Sequence, residues 1–80
     1  MKYNIDSPEV IQTLDDFEFR TLHEVGVANI SGGFCTVDLF DYDDEYFDIE
    51  VKFGVQNDCE NYIETEQYKM DRETLEIEDA

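Results

Sequence analysis

Between Phe47 and Val55 apolar and polar residues alternate without a break: Phe47, Ile49, Val51, Phe53 and Val55 against Asp48, Glu50, Lys52 and Gly54. A period of two over nine positions fits a β-strand with one buried face, because successive side chains on a strand point to opposite sides. Residues 34–42 carry the same alternation through Cys35, Val37 and Leu39. The acids Asp43, Asp44 and Glu45 separate the two runs and supply a turn. A hairpin closing there pairs Leu39 with Ile49, Val37 with Val51 and Cys35 with Phe53. Ser31-Gly32-Gly33 is a second turn signal, since glycine takes positive φ without steric penalty. A turn there sets Val27 opposite Val37 and Val25 opposite Leu39. The two turns place the same side chains on one face, which is how a strand register becomes specified.

The flanks are read by the same rules. Ser7-Pro8-Glu9 predicts a helix start: serine as N-cap, proline in the first turn, and an acid near the positive end of the helix dipole. Val10, Ile11 and Leu14 share a helical face, and Asp15-Asp16 ends the pattern after about two turns. From Phe17 the alternation Phe17, Phe19, Thr21 against Glu18 and Arg20 predicts a strand, with a bulge at Leu22-His23 and resumption at Val25 and Val27. Residues 59–70 mix strand formers (Tyr62, Ile63, Thr65, Tyr68) with helix formers (Glu64, Glu66, Gln67, Lys69, Met70), and a strand is favoured. Leu75 and Ile77 form a short last strand after a turn near Asp71-Arg72. The expected fold is a single α+β domain over residues 1–80, mostly β: an antiparallel meander of four to six strands with one short N-terminal helix. Its expected core is Val10, Ile11, Leu14, Val25, Val27, Val37, Leu39, Phe47, Ile49, Val51 and Phe53.

Composition then narrows the function. Eleven of the 80 residues are Phe or Tyr and 41% are apolar, which suits a folded chain better than an acidic disordered tail. Twenty-two acids against five bases leave a net charge of −17. A small domain needs a net charge of only about 2–8 in magnitude for solubility. The excess disfavours direct binding to nucleic acid or to anionic membranes and favours a basic protein partner. Nothing near the N-terminus reads as a signal peptide or membrane span, so a cytoplasmic location is expected. Cys35 and Cys59 are too few for a disulfide framework, and both are expected as thiols.

Few residues offer catalytic chemistry. His23 is the one histidine and stands in no nucleophile motif, so a surface or bulge position is expected. Cys35 shares the apolar face with Val37 and Leu39 and reads as a buried small hydrophobe. Asp41, Asp43 and Glu45 have the spacing of oxygen ligands for Ca²⁺. An EF-hand loop beginning at Asp41 would need glycine at 46 and glutamate at 52, where Tyr46 and Lys52 stand. Two cysteines and one histidine do not make a zinc site, and no phosphate-binding glycine loop is present. An enzyme is not expected, nor a cofactor or metal.

The acids are the informative feature. Between residues 38 and 50 stand Asp38, Asp41, Asp43, Asp44, Glu45, Asp48 and Glu50, with no base among them. The hairpin register sets Asp38 opposite Glu50, a like-charge pair that destabilises an antiparallel sheet. Phe40, Tyr42 and Tyr46 lie among these acids on the expected outward face. The expected partner-binding surface is Asp38, Asp41, Tyr42, Asp43, Asp44, Glu45, Tyr46, Asp48 and Glu50. In small size, acidity and β-rich patterning, though in no motif, the chain resembles phage-encoded DNA mimics. That likeness implies an inhibitor of a restriction enzyme, CRISPR effector or other nuclease, acting in the host cytoplasm by occupying a basic channel. Two other readings stay open: an immunity protein or antitoxin against a nuclease toxin, and a non-catalytic adaptor whose acidity serves solubility.

Overall fold

The computed structural model describes residues 2–80. One helix, α1 (Pro8–Glu24), precedes four strands: β1 (Gly33–Tyr42), β2 (Tyr46–Gln56), β3 (Asn61–Asp71) and β4 (Ile77–Asp79). The strands lie in the order β1-β2-β3-β4, each antiparallel to the next, so the sheet is a meander and the fold is α+β, mostly β.

The hairpin forms in the expected register. Cys35 faces Phe53, Val37 faces Val51 and Leu39 faces Ile49. Beyond Leu39 the register slips by one residue, so that Asp41 pairs with Asp48 and Tyr42 with Phe47. Phe40 is the extra residue of this β-bulge. β2 and β3 pair without irregularity from Tyr46–Asp71 to Gln56–Asn61. β3 is the strand expected within residues 59–70, ending one residue later at Asp71; the last strand begins only at Ile77, because Leu75, expected in it, stands at the end of the turn with φ 63°.

The strand expected from Phe17 does not form, because those residues extend the helix. Val10, Leu14, Phe17 and Thr21 stand four, three and four residues apart, the spacing of one helical face. Val10 and Thr21 are buried, and Leu14 and Phe17 pack partly buried against the core. The alternation through Phe17, Phe19 and Thr21 is a subset of that face with Phe19 added, and Phe19 is 65% exposed. Asp15 and Asp16 sit in the exposed middle, where Gln12 Nε2 donates to Asp16 Oδ1 at 2.9 Å. The stop comes at Gly26, whose φ of 79° follows the C-cap Val25. Glycine is favoured there because a side chain would be strained. At the other end Ser7 is the N-cap, with extended backbone, but its hydroxyl makes no cap bond. Ser7 Oγ instead accepts from Asn4 N at 2.9 Å.

Because residues 25–32 form turns, Val25 and Val27 do not pair with Leu39 and Val37, and β1 is an edge strand. Gly32 and Gly33 are needed there for close approach. A Cβ on Gly33 would meet the Val27 carbonyl, and one on Gly32 the Gln56 carbonyl.

The core lies between α1 and one sheet face: Val10, Cys35, Phe47, Ile49, Val51, Phe53 and Met70, with Leu14, Phe17, Leu22, Val25, Val37, Leu39 and Tyr68 packed against them. Ile11, expected inside, is 51% exposed, while Val55 and Met70 are wholly buried. The molecule measures 47 × 18 × 18 Å over its Cα atoms. An eleven-residue strand such as β2 spans about 36 Å at about 3.3 Å per residue, so the strands run along the long axis.

Candidate acidic interface

The sheet face turned away from α1 carries even-numbered residues of β2 and odd-numbered residues of β3. Across it Asp38 lies opposite Glu50, and Glu50 opposite Gln67. One step along, Asp41 lies opposite Asp48, and Asp48 opposite Lys69. Two like-charge pairs therefore stand side by side at the bulge end. Glu50 has relief: Lys52 Nζ lies 3.5 Å from its Oε1, and Gln67 Nε2 donates to Oε2 at 3.2 Å. Lys69 spends its charge on Glu78 at 3.8 Å and lies 4.6 Å from the Tyr46 ring centroid. Among the described residues the ion pairs within 4.0 Å are these two, and neither involves Asp38, Asp41 or Asp48.

The bulge redistributes the aromatics. Tyr42 pairs with Phe47, a core residue, so it lies on the helix side of the sheet and not on the outward face expected for it. Its ring meets Phe47 edge-on at 6.5 Å and stays 56% exposed. Tyr46 does share the outward side with Asp48 and Glu50. Phe40, in the bulge, is as exposed as Tyr42. An unbroken strand would keep Tyr42 beside Asp38, and nothing in the alternation announced the slip.

The acidic turn is built by one of its own carboxylates. Asp43 Oδ1 accepts from the backbone N–H of Glu45 and of Tyr46, both at 2.8 Å, and Asp43 N donates to Tyr46 O at 2.9 Å. The two N–H bonds hold the Asp43 carboxyl below its ordinary value, by stabilising the charged form. Arg72 ties this turn to the rest of the chain. Its Nη1 donates to Asp43 O at 2.6 Å, and its backbone N donates to Glu45 O at 3.0 Å. Its Nε and Nη2 donate to Tyr3 O, while its guanidinium lies over the Tyr42 and Phe47 rings. Asp43 is therefore committed to the fold, whereas Asp44 and Glu45 present exposed carboxylates beside it.

The structure thus groups the expected surface into an outward acidic strip (Asp38, Asp41, Asp48, Glu50, with Tyr46) and a turn (Asp43, Asp44, Glu45). A second acidic zone was not expected. Glu64 and Glu66 lie opposite Phe53 and Val51, on the helix side of β3, yet both are exposed. Tyr68 donates its phenolic O–H to Glu66 Oε2 at 2.6 Å. That bond, then burial and the nearby charges of Glu66, Asp79 and Glu24, push its pKa up to about 12. The alternation of Tyr62, Glu64, Glu66, Tyr68 and Met70 was the available signal. It is blurred because α1 covers Tyr68 and Met70 but leaves the first half of β3 bare.

Two of the residues with catalytic potential, His23 and Cys35, are otherwise engaged. His23 Nδ1 lies 2.9 Å from the Phe19 carbonyl, and its ring stacks at 4.5 Å on exposed Phe19. Cys35 is buried, and burial, helped by Glu18, pushes its thiol up, away from the nucleophilic thiolate. Cys59 is an exposed thiol in the β2–β3 turn. Among the described residues no three of His, Cys, Asp and Glu converge as metal ligands, and no helix is long and apolar enough to cross a membrane. Comparison with protein-family models, curated proteins and solved structures returned no match.

Proposed function

We propose that this protein is a non-catalytic inhibitor that mimics nucleic acid and blocks the basic channel of a nucleic-acid-binding protein. The observation that carries this reading is the linear density of charge. Dividing the 47 Å axis by the net charge of 17 gives one uncompensated negative charge per about 2.8 Å. Duplex DNA carries one per about 1.7 Å and a single strand one per about 3.4 Å. A rod with charge of that spacing suits a channel lined by lysine and arginine. The like-charge pairs Asp38–Glu50 and Asp41–Asp48 support it further, since acids serving only solvation need not face one another. The partner is a restriction, CRISPR or other nuclease, met in the cytoplasm (the host's, if the protein is phage-encoded), and the protein itself does not bind nucleic acid.

The test is competition. The protein is titrated against a panel of restriction and CRISPR nucleases with their DNA substrates, at rising salt. The expected result is loss of DNA binding by at least one nuclease, weakening as salt rises. Asp44→Lys with Glu45→Lys should slow association, because rim charges act mainly by steering. Asp43 is spared, since its carboxylate builds the turn. A partner that binds the double variant equally well at low salt would make the acidity solvation only and favour the adaptor.

A further inference from the structure

β3 is an eleven-residue strand with a three-residue neighbour on its outer side. β4 pairs with Tyr68, Lys69 and Met70. Asp71 N donates to Glu76 O, and Gln67 O accepts from Ala80 N, so odd-numbered residues of β3 turn their backbone groups toward the β4 side. By the same alternation Ile63 and Thr65 present N–H and C=O groups at that edge, where no strand among the described residues lies against them. All seven residues Asn61–Gln67 are exposed, and the pairing behind them is regular, so this edge is straight and open. The other edge, β1, is interrupted by the bulge at Phe40, and the outward N–H of Tyr42 is taken by Asp41 Oδ1 at 2.8 Å. Bulges and local carboxylates blunt an edge. At Ile63 and Thr65 the pairing has no bulge, and among the described residues no side chain takes their N–H groups, so the carboxylates of Glu64 and Glu66 stand beside the edge without capping it.

We propose that the β3 edge at Asn61–Gln67 docks an extended, basic segment of the partner protein as an added antiparallel or parallel strand. This rests on the reading of a basic partner given above. Glu64 and Glu66 flank the edge on the helix side, with Asp79 and Glu24 near enough to act on Tyr68, while Ile63, Thr65 and Gln67 line the other side. A strand with Lys or Arg at alternate positions sets its charges over Glu64 and Glu66 and its intervening side chains over Ile63 and Thr65. A second copy of this chain is the poorer occupant. Antiparallel self-pairing centred on Glu64 or Thr65 sets Glu64 against Glu64 or Glu66 of the second copy, and each copy carries −17.

The probe is a synthetic peptide alternating lysine with valine, long enough to span Asn61–Gln67, beside the same peptide N-methylated on the amides that would face β3. Amide hydrogen exchange at Ile63 and Thr65 should slow on adding the first peptide. The N-methylated peptide should bind about tenfold or more weakly, from the loss of two or more hydrogen bonds. Thr65→Pro should weaken the first peptide similarly, because its N–H faces the open edge and its loss spares the β2 ladder. If both peptides bind equally and exchange is unchanged, attraction is by charge alone: the edge site falls and the acidic-surface reading stands. If neither binds at low salt, both fall. Slow exchange at Ile63 and Thr65 in the protein alone would show the edge already covered, by a second copy or another part of its own chain, and would also overturn the proposal.

Discussion

Phe17 and Phe19 give a sharp test of how this chain is organised. On a strand they would share one face and lose similar amounts on truncation. On a helix they stand about 200° apart, at 100° per residue, so only one can face the core. Phe17 meets Tyr68 edge-on, with ring centroids 5.2 Å apart and planes at 78°, and packs against the core. Full burial of a phenylalanine makes truncation cost about 3–5 kcal/mol. Phe17 is half-buried, which lowers that figure, and the aromatic pair adds about 0.5–1.5 kcal/mol. Phe17→Ala should therefore destabilise by about 2–4 kcal/mol. Phe19 is 65% exposed, and alanine is the better helix former, so Phe19→Ala should fall within about 0.5 kcal/mol of zero. An 80-residue domain holds only about 4–12 kcal/mol in total, and each kcal/mol moves Tm by about 4–8 °C at this size. Thermal unfolding followed by circular dichroism should show Phe17→Ala lowered by roughly 10–30 °C and Phe19→Ala close to the parent. Equal losses, or a larger one at Phe19, would refute the long helix and restore the strand.

Two further outcomes follow from charge. Raising NaCl from about 0.01 to 0.1 M shortens the Debye length from about 30 to 10 Å, from beyond the 18 Å width of the molecule to well within it. Tm should rise over that range, and a fall would mean that attractive ion pairs outweigh the net repulsion. Asp43, whose folded carboxyl is held low by the Tyr46 and Glu45 N–H groups, stabilises the fold above the ordinary carboxylate pKa of about 3.9. That contribution disappears as pH falls through the lowered folded value. The gap in urea midpoint between the parent and Asp43→Ala should hold from neutral pH to about 5 and close below about 4; a constant gap would show that the carboxylate's charge is not what holds the turn.

The sheet was legible because the burial that shapes it is local in sequence. In β2 every second residue from Phe47 to Val55 is buried, so periodicity and register could be read from the chain itself. The helix was misjudged at Phe17 because Phe17, Phe19 and Thr21 satisfy a period of two, while Phe17 and Thr21, four residues apart, equally satisfy one face of a helix. The deciding residues were Val10 and Leu14 before them and Gly26 after, a face and a stop that extend beyond the window of alternation. β3 was ambiguous for a different reason. Its pattern is set by what α1 covers: Met70 is buried and Tyr68 half-buried, while Tyr62, Glu64 and Glu66 on the same side are exposed. No local rule contains the length of a helix elsewhere in the chain.

The same mismatch in length links fold to function. At about 1.5 Å per residue the 17 residues of α1 reach about 25 Å, against about 36 Å for β2 and β3. Beyond the helix the turn residues 25–32 extend the cover, with Val27 and Val55 both wholly or almost wholly buried. The first half of β3 is left bare on both faces and on its outer edge. A bare strand of alternating Ile and Thr would be an aggregation hazard. Here Glu64 and Glu66 occupy one side of it, and the net charge of −17 repels a second copy before backbone groups can meet. A net charge of −17 thus opposes self-pairing of the open edge by the same repulsion that acts against a compact fold. A cationic chain meets no such barrier, and for it the acids and the unpaired backbone act in the same direction. On this argument the acidity has two parts. In the proposed function the outward strip at Asp38, Asp41, Asp48 and Glu50 would attract the partner's basic surface over distance, and in the proposed docking Glu64 and Glu66 would select what the edge of β3 accepts at contact.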